Sequence, residues 1–312
     1  MINFNQLRVF HQAAQNMNFT AAAKKLCITQ PAVTAHIKLF EDFSNLKLFQ
    51  KRGRKIYLTD EGKALYDYTR KIFEYEKEIE DLIDDLKELK RGTLRLGTSK
   101  SYARYFMPFL ITSFRDAYPH IKIYLDEGSA LDMIHSLLDF RNEVAVIAKV
   151  EDNPDIYFIP FSYEELVLIL APEHQLARKR FITLAELAEK PIIMKERGSG
   201  TRKLVNALFN DNGTSPEILM ETSNEEFIKQ LVQRGDGVSF VVRETAAVEL
   251  QEKKLATVPI KGRRVFLEVS IAYLRNQHLS PPAQAFLDIL LKIAPTKKPR
   301  KGIRTIIGDM QT

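Results

Sequence analysis

Along the first 62 residues the apolar positions fall at helical spacing, and then a short alternating stretch follows. Val33, Ile37 and Phe40 recur at i, i+4 and i+7, which predicts a helix with one buried face. Thr29 is placed to cap it, and Pro31 is tolerated in its first turn because the missing amide has no intrahelical partner there. Just upstream, Phe19-Thr20-Ala21-Ala22-Ala23-Lys24-Lys25-Leu26 predicts a short alanine-rich helix capped by Thr20, with a turn at Cys27-Ile28. The runs Leu46 to Phe49 and Ile56 to Thr59 flank Lys51-Arg52-Gly53-Arg54-Lys55, the pattern of a hairpin with a basic tip.

A long charged helix follows from about Asp60 to Lys90. In it Leu65, Ile72, Ile79 and Leu86 occupy one heptad position and Tyr68, Tyr75, Leu82 and Leu89 another. That repeat predicts a coiled-coil seam and self-association, on a helix roughly 40 Å long. After Arg91-Gly92 the period changes. Strand-like runs (Thr93 to Gly97, Ile121 to Leu125, Val144 to Ala148, Leu166 to Ala171, Val238 to Val242) alternate with helical patterns at Tyr105 to Tyr118, Leu131 to Phe140 and Glu225 to Arg234. Such alternation predicts α/β units with largely parallel sheets. A last helix is expected over Pro282 to Ile293 with Ser280 as its cap, and the Lys/Arg/Pro-rich stretch 296–312 is expected to be disordered.

Charge sharpens this division. Of the net +6, residues 1–62 carry +5 and residues 296–312 carry +4, leaving −3 on the remainder. A basic head on a slightly acidic body points to phosphate contact by the head. Two features favour a membrane-free, reducing compartment, the cytoplasm. The apolar runs fall far short of a membrane span, and a single cysteine, Cys27, permits no intrachain disulfide. The N-terminal residues also lack the pattern of a secretory signal.

The helix capped by Thr29 presents Gln30, Pro31, Thr34, Ala35 and Lys38 opposite its apolar face. Glutamine can bond an adenine edge bidentately and threonine offers a hydroxyl and a methyl, so this face suits base reading in a major groove. Arg52 and Arg54 on the hairpin suit phosphate or a narrow minor groove. In the body no catalytic or cofactor motif is found: there is no CxxC, HExxH, GxSxG, GxxxxGK or GxGxxG, and the six histidines lack metal-ligand spacing. Neither a cofactor nor a metal is expected. Two segments instead suit an anion. Thr98-Ser99-Lys100-Ser101 and Gly198-Ser199-Gly200-Thr201-Arg202 each follow a strand and open a helix, where hydroxyls, amides and a cation converge.

The head resembles the LysR-type transcriptional regulators. The resemblance is carried by Leu7, Phe10, Ala13, Phe19-Thr20-Ala21-Ala22, Leu26, Thr29-Gln30-Pro31-Ala32-Val33-Thr34, Ile37, Glu41, Leu48-Phe49, Arg52 and Leu58-Thr59-x-x-Gly62. It continues more loosely through Glu127-Gly128-Ser129, Glu143-Val144-Ala145-Val146 and Gly235-Asp236-Gly237-Val238. The resemblance implies a winged helix-turn-helix (1–62), a dimerisation linker helix (63–92) and a periplasmic-binding-protein-like effector domain (93–295). One lobe would be about 93–161 plus 268–295 and the other about 162–267. It further implies DNA contacts by Gln30, Pro31, Thr34, Lys38, Arg52 and Arg54. Ser99, Lys100, Ser101, Ser129, Ser199, Thr201 and Arg202 would line an effector cleft for an anionic small molecule. Linker helices would pair antiparallel in a dimer or tetramer. Departures occur at Ala35, where a basic residue is usual, and at Phe40, Ser44-Asn45 and Lys51. Asn45 can still supply a left-handed turn.

The expected partners are a double-stranded DNA operator, a small-molecule effector and a second copy of the chain. Three alternatives stay open on sequence grounds. One is a metabolite-binding enzyme with an autoregulatory head, another a solute-binding protein, which the basic head opposes, and the third a ligand-independent architectural DNA-binding protein.

Overall fold

In a computed structural model the structure describes residues 1–53, 55–293 and 302, and the chain divides into two compact units, 1–85 and 86–312. Arg54 and, Gly302 apart, the basic stretch 296–312 lie outside the described residues.

The first unit holds α1 (Phe4–Asn16), α2 (Phe19–Lys25), α3 (Gln30–Ser44), the hairpin strands β1 (Phe49–Arg52) and β2 (Lys55–Leu58), and α4 (Asp60–Lys87). Thr29 caps α3 through a bond from the Ala32 amide, and Val33, Ile37 and Phe40 are buried as the spacing predicts. At the other end Asn45 adopts φ 53°, the left-handed conformation that closes the helix. The cap of α2 is Asn18, not Thr20: its side chain accepts from the Thr20 and Ala21 amides, and Thr20 lies one residue inside the helix. Phe10 sits at the centre of the core, 5.8 Å from Phe40 and 5.6 Å from Phe49 between ring centroids.

Two devices set the hairpin on the helices. Glu41, 9% exposed, accepts from the Leu48 and Phe49 amides at 2.8 and 3.2 Å and pairs with Lys47 at 2.9 Å. Gly62 allows α4 to approach the strand, since a Cβ there would stand 2.2 Å from the Leu48 carbonyl oxygen. Burial opposes the charge on Glu41, yet the Leu48 amide, the Lys47 ammonium and the Phe49 amide outweigh it and hold the carboxyl below the usual glutamate range. A depressed folded-state pKa stabilises the fold fully above the unfolded value and ceases to do so as pH falls through the folded one. Glu41→Ala is therefore expected to cost on the order of 1–2 kcal/mol near neutral pH by orphaning two amides. The difference from wild type should shrink below about pH 4. Thermal unfolding of the full chain against pH checks this, and a difference that stays constant to low pH contradicts it.

The second unit contains, in order, β3 (Thr93–Ser99), α5 (Lys100–Tyr105), α6 (Met107–Ala117), β4 (Lys122–Gly128), α7 (Ala130–Leu138), β5 (Val144–Ala148) and β6 (Ile156–Leu170). There follow α8 (Leu184–Ala188), β7 (Pro191–Lys195), α9 (Gly200–Asn210), β8 (Glu217–Thr222), α10 (Glu225–Gln233) and β9 (Ser239–Val242). The unit ends with α11 (Ala247–Gln251), β10 (Ala256–Thr257), β11 (Val265–Leu274) and α12 (Pro281–Ile293). The main sheet runs β10-β6-β11-β5-β3-β4, with β9 also on β6. It is more mixed than the alternation predicts. β3 pairs parallel with β4 and β5, whereas β6 and β11 are long, antiparallel to each other, and continuous from one half of the unit to the other.

Burial follows strand period. Val144 and Val146 enter one core with Phe114 and Phe286, while Ala145 and Ile147 enter another with Met133 and Ile134 on the opposite face. Leu166, Leu168 and Leu170 likewise join one core, and Val167 and Ile169 another, in the second half. Between the halves the β6–β11 register shifts at Val269/Ser270, a bulge that re-aims both strands. Two lobes thus share a pair of crossing strands, and the strand ends of both face a common cleft.

Candidate DNA-reading face and effector cleft

On α3, Gln30, Pro31, Thr34 and Lys38 are all exposed. The Gln30 side-chain amide donates to the Thr34 hydroxyl at 3.0 Å, and that hydroxyl bonds the Gln30 carbonyl at 3.2 Å. Both groups are thereby held at the start of the helix, facing solvent, with Pro31 between them. Arg52 is exposed at the end of β1, where the register Arg52↔Lys55 closes the hairpin. Among the described residues no ion pair engages Lys38 or Arg52. Their charges are available to a polyanion.

The heptad residues of the long helix divide three ways. Leu65 packs with Tyr66 and Phe73 against the core of the first unit, which removes it from an outward seam. Leu89 lies beyond the end of α4, has φ 58°, and packs on the core of the second unit. The period is right in both cases, but the side chains meet the chain's own cores. Tyr68, Ile72, Tyr75, Ile79, Leu82 and Leu86 remain exposed, with Ile79 at 58% and Tyr75 at 64%, and Ile83 extends the stripe. On the other side of α4, Arg8 forms a two-point pair with Glu76 at 2.7 and 2.5 Å, and His11 contacts the Thr69 hydroxyl at 3.2 Å.

Between the lobes, Ser99, Lys100, Ser101, Ser129, Ser199 and Thr201 line one cavity of about 40 Å³ that opens to solvent. Three of these serines precede helices: Ser99 before α5, Ser129 before α7 and Ser199 before α9. Ser129 accepts from the Asp132 amide and its hydroxyl also bonds the Asp132 carboxylate, whereas Ser199 accepts from the Arg202 amide and keeps its hydroxyl proton free to donate into the cavity. Arg202 is not among the lining residues. Its guanidinium folds back to the Lys195 carbonyl at 2.9 Å and to Glu221 at 2.9 Å, beneath the loop whose shape it fixes. That bond, with the Arg197 amide, holds the Glu221 carboxyl below the usual range.

Two cavity residues escaped the motif reading. Lys195, 6% exposed, ends β7 and turns its ammonium toward Glu225 and Ser101, each at 3.5 Å, and the Ser223 carbonyl at 3.3 Å. Glu196 follows it and also faces the cavity. Their signal was position: both stand at the carboxyl end of a strand, where open α/β sheets take ligands.

Polar contacts join the lobes beside the cavity. Ser101 donates to Glu225 at 2.5 Å, Lys100 to the Ser223 hydroxyl at 2.8 Å, and Tyr105 to Glu226 at 2.5 Å. Lys229, 3% exposed at its side chain, pairs with Glu226 and Glu249 at 2.8 and 2.7 Å. Burial opposes its charge, but the two carboxylates raise its pKa above the usual lysine range. Burial and the bond to Glu226 push the Tyr105 hydroxyl up to about 12, so it stays a proton donor at neutral pH. Among the described residues no group of three or more His, Cys, Asp or Glu is placed to hold a metal, and no helix is long and apolar enough to cross a membrane.

An exposed helix face beside a hairpin wing, together with a two-lobed α/β domain around a cleft, defines a ligand-responsive DNA-binding architecture. Residues 4–63 match the family model described as bacterial regulatory helix-turn-helix protein, lysR family, and residues 87–294 match LysR substrate binding domain. The chain belongs to the LysR family of transcriptional regulators.

Among its relatives, the RuBisCO operon transcriptional regulator of Allochromatium vinosum is 32% identical over 301 residues, covering 96% of this chain and 99% of the relative. The HTH-type transcriptional activator CmpR of Synechocystis is 35% identical over 286 residues, 92% of this chain and 94% of that one. The solved effector binding domain of QuiR in complex with shikimate is 25% identical with a TM-score of 0.60, covering 65% of this chain and 97% of that structure.

Proposed function

We propose that this regulator binds a dyad-related DNA operator as a dimer or tetramer, and that a small anionic effector in the interlobe cleft changes its DNA contacts. Residues 1–62 are the DNA-binding domain, 63–92 the linker and 93–295 the effector domain. Gln30, Pro31 and Thr34 read bases, Lys38 and Arg52 contact the backbone, and the exposed stripe from Tyr68 to Leu86 joins copies of the chain. The protein acts in the cytoplasm, where an exposed lone Cys27 stays reduced, and it regulates transcription without turning its effector over.

The observation that carries the reading is the convergence of three serine-led helix starts, with Lys100 and Lys195, on one cavity. Hydroxyl donors and cations gathered from separate elements suit a carboxylate or phosphate. The similar effector binding domain of QuiR is solved in complex with shikimate, itself a carboxylate, which supports that choice. An effector preferring the closed cleft shifts the population of the two lobe arrangements by its differential affinity.

A thermal-shift screen of the full chain against carboxylates and phosphorylated metabolites tests this. A ligand at a hundred times its Kd stabilises by about 2.7 kcal/mol, which reads as a rise of a few degrees. Thr201→Val, which keeps the shape and removes a hydroxyl from the cavity, is expected to weaken the hit about tenfold. A flat screen favours the ligand-independent architectural protein, and turnover of a hit favours the enzyme.

A further inference from the structure

We propose that Glu196 reads a hydrogen-bond donor on the effector, so that the cleft selects a small anion carrying a hydroxyl or ammonium on the carbon next to its charged group. The proposal rests on the effector reading of the cleft given above and specifies the ligand's chemistry.

Glu196 lines the cavity next to Lys195, yet its Oε2 is shielded from water and has no hydrogen-bond partner. Buried polar atoms in folded proteins are nearly always partnered, and an orphaned carboxylate oxygen is costly to keep. The neighbouring ammonium groups are engaged elsewhere: Lys195 with Ser101, Glu225 and the Ser223 carbonyl, and Lys100 with the Ser223 hydroxyl. The cavity therefore offers two unlike ends. The Ser99 and Ser199 hydroxyls ask for an acceptor, and Glu196 asks for a donor.

A plain anion satisfies only the first. It also brings a second negative charge into the same enclosed space as Glu196, without a proton between them. A 2-hydroxy or 2-amino acid satisfies both, because its hydroxyl or ammonium donates to Oε2 while its carboxylate accepts from the caps. Sites built to bond a ligand hydroxyl or amine discriminate strongly against analogues that lack it, since the buried partner is then left unpaired.

Calorimetric titration of the intact chain with two matched sets, propionate, lactate and alanine, then succinate, malate and aspartate, tests the inference. In at least one set the substituted acid is expected to bind about ten- to a hundredfold more tightly than its unsubstituted parent. Glu196→Leu should erase that preference, and Glu196→Gln separates the two donor sources. A neutral amide oxygen keeps a preference for the hydroxy acid and loses one for the ammonium. Equal binding of parent and substituted acids, or a preference that survives Glu196→Leu, overturns the role of Glu196 while leaving an anion site in place. No binding by any member overturns the anion site itself, and the proposal with it.

Discussion

Ile79→Glu is expected to dissociate the assembly into single chains and to lower operator affinity at least a hundredfold. Ile79 is 58% exposed at the middle of the apolar stripe on α4, flanked by Tyr75, Leu82, Ile83 and Leu86. A run of apolar residues on an otherwise charged helix gains little by facing water, and a charge placed at its centre must be desolvated in any paired state. Two linked heads bind two half-sites with the gain of high effective concentration, and a single head loses that gain. Sedimentation velocity and a mobility shift on the same preparation report both effects. Leu89→Ala provides the contrast. That residue packs on the core of the second unit, so the substitution should lower melting temperature and leave the assembly intact. Unchanged sedimentation of Ile79→Glu assigns the stripe another role.

Gln30→Ala and Arg52→Ala are expected to fail in different ways. Gln30 begins the exposed face of α3 with its amide held on Thr34, so its loss should cost about 1–3 kcal/mol of discrimination at one base position. Affinity for unrelated DNA should barely change. Arg52 is exposed on the wing, and its loss should weaken all sequences alike and reduce the salt slope by about 1. Competition mobility shifts across a salt series separate the two. A Gln30→Ala protein that still discriminates fully would place base reading on another face.

Much of the first unit was legible because local rules and burial agree there. Thr29, Pro31, Val33, Ile37 and Phe40 each obey a capping or periodicity rule that the fold then uses. Asn18 and Thr20 show the limit of such rules, since both are good caps two residues apart and geometry selects Asn18. The heptads were visible too, but a period says only that residues share a face. Whether Leu65 or Leu89 meets a partner or the chain's own core depends on where the helix ends and what packs beside it.

In the second unit the buried strand β5 was read with its correct bounds as a continuous apolar run. The part of β6 before Leu166, with Pro160, Glu164 and Glu165, looks unlike a buried strand, although it pairs along its length with β11. Crossing strands of this kind are set by tertiary pairing, which overrides local propensity. The cleft shows the same division. Serine caps were recognisable from hydroxyls at helix starts, whereas the exchange of Arg202 for Lys195 was not. Residue 202 lies three positions past the cap, on the side of α9 that faces the loop, and only the folded loop shows which cation reaches the cavity.

In the function proposed above, the basic head reads a specific DNA sequence as part of a symmetric assembly. In vitro selection of random duplex DNA with the intact chain tests it most directly. The predicted result is enrichment of a dyad-symmetric sequence whose half-sites lie whole helical turns apart, bound at least about a thousandfold more tightly than the starting pool at physiological salt. Recovery of DNA that is no better bound than the pool, or of single unpaired sites, contradicts it.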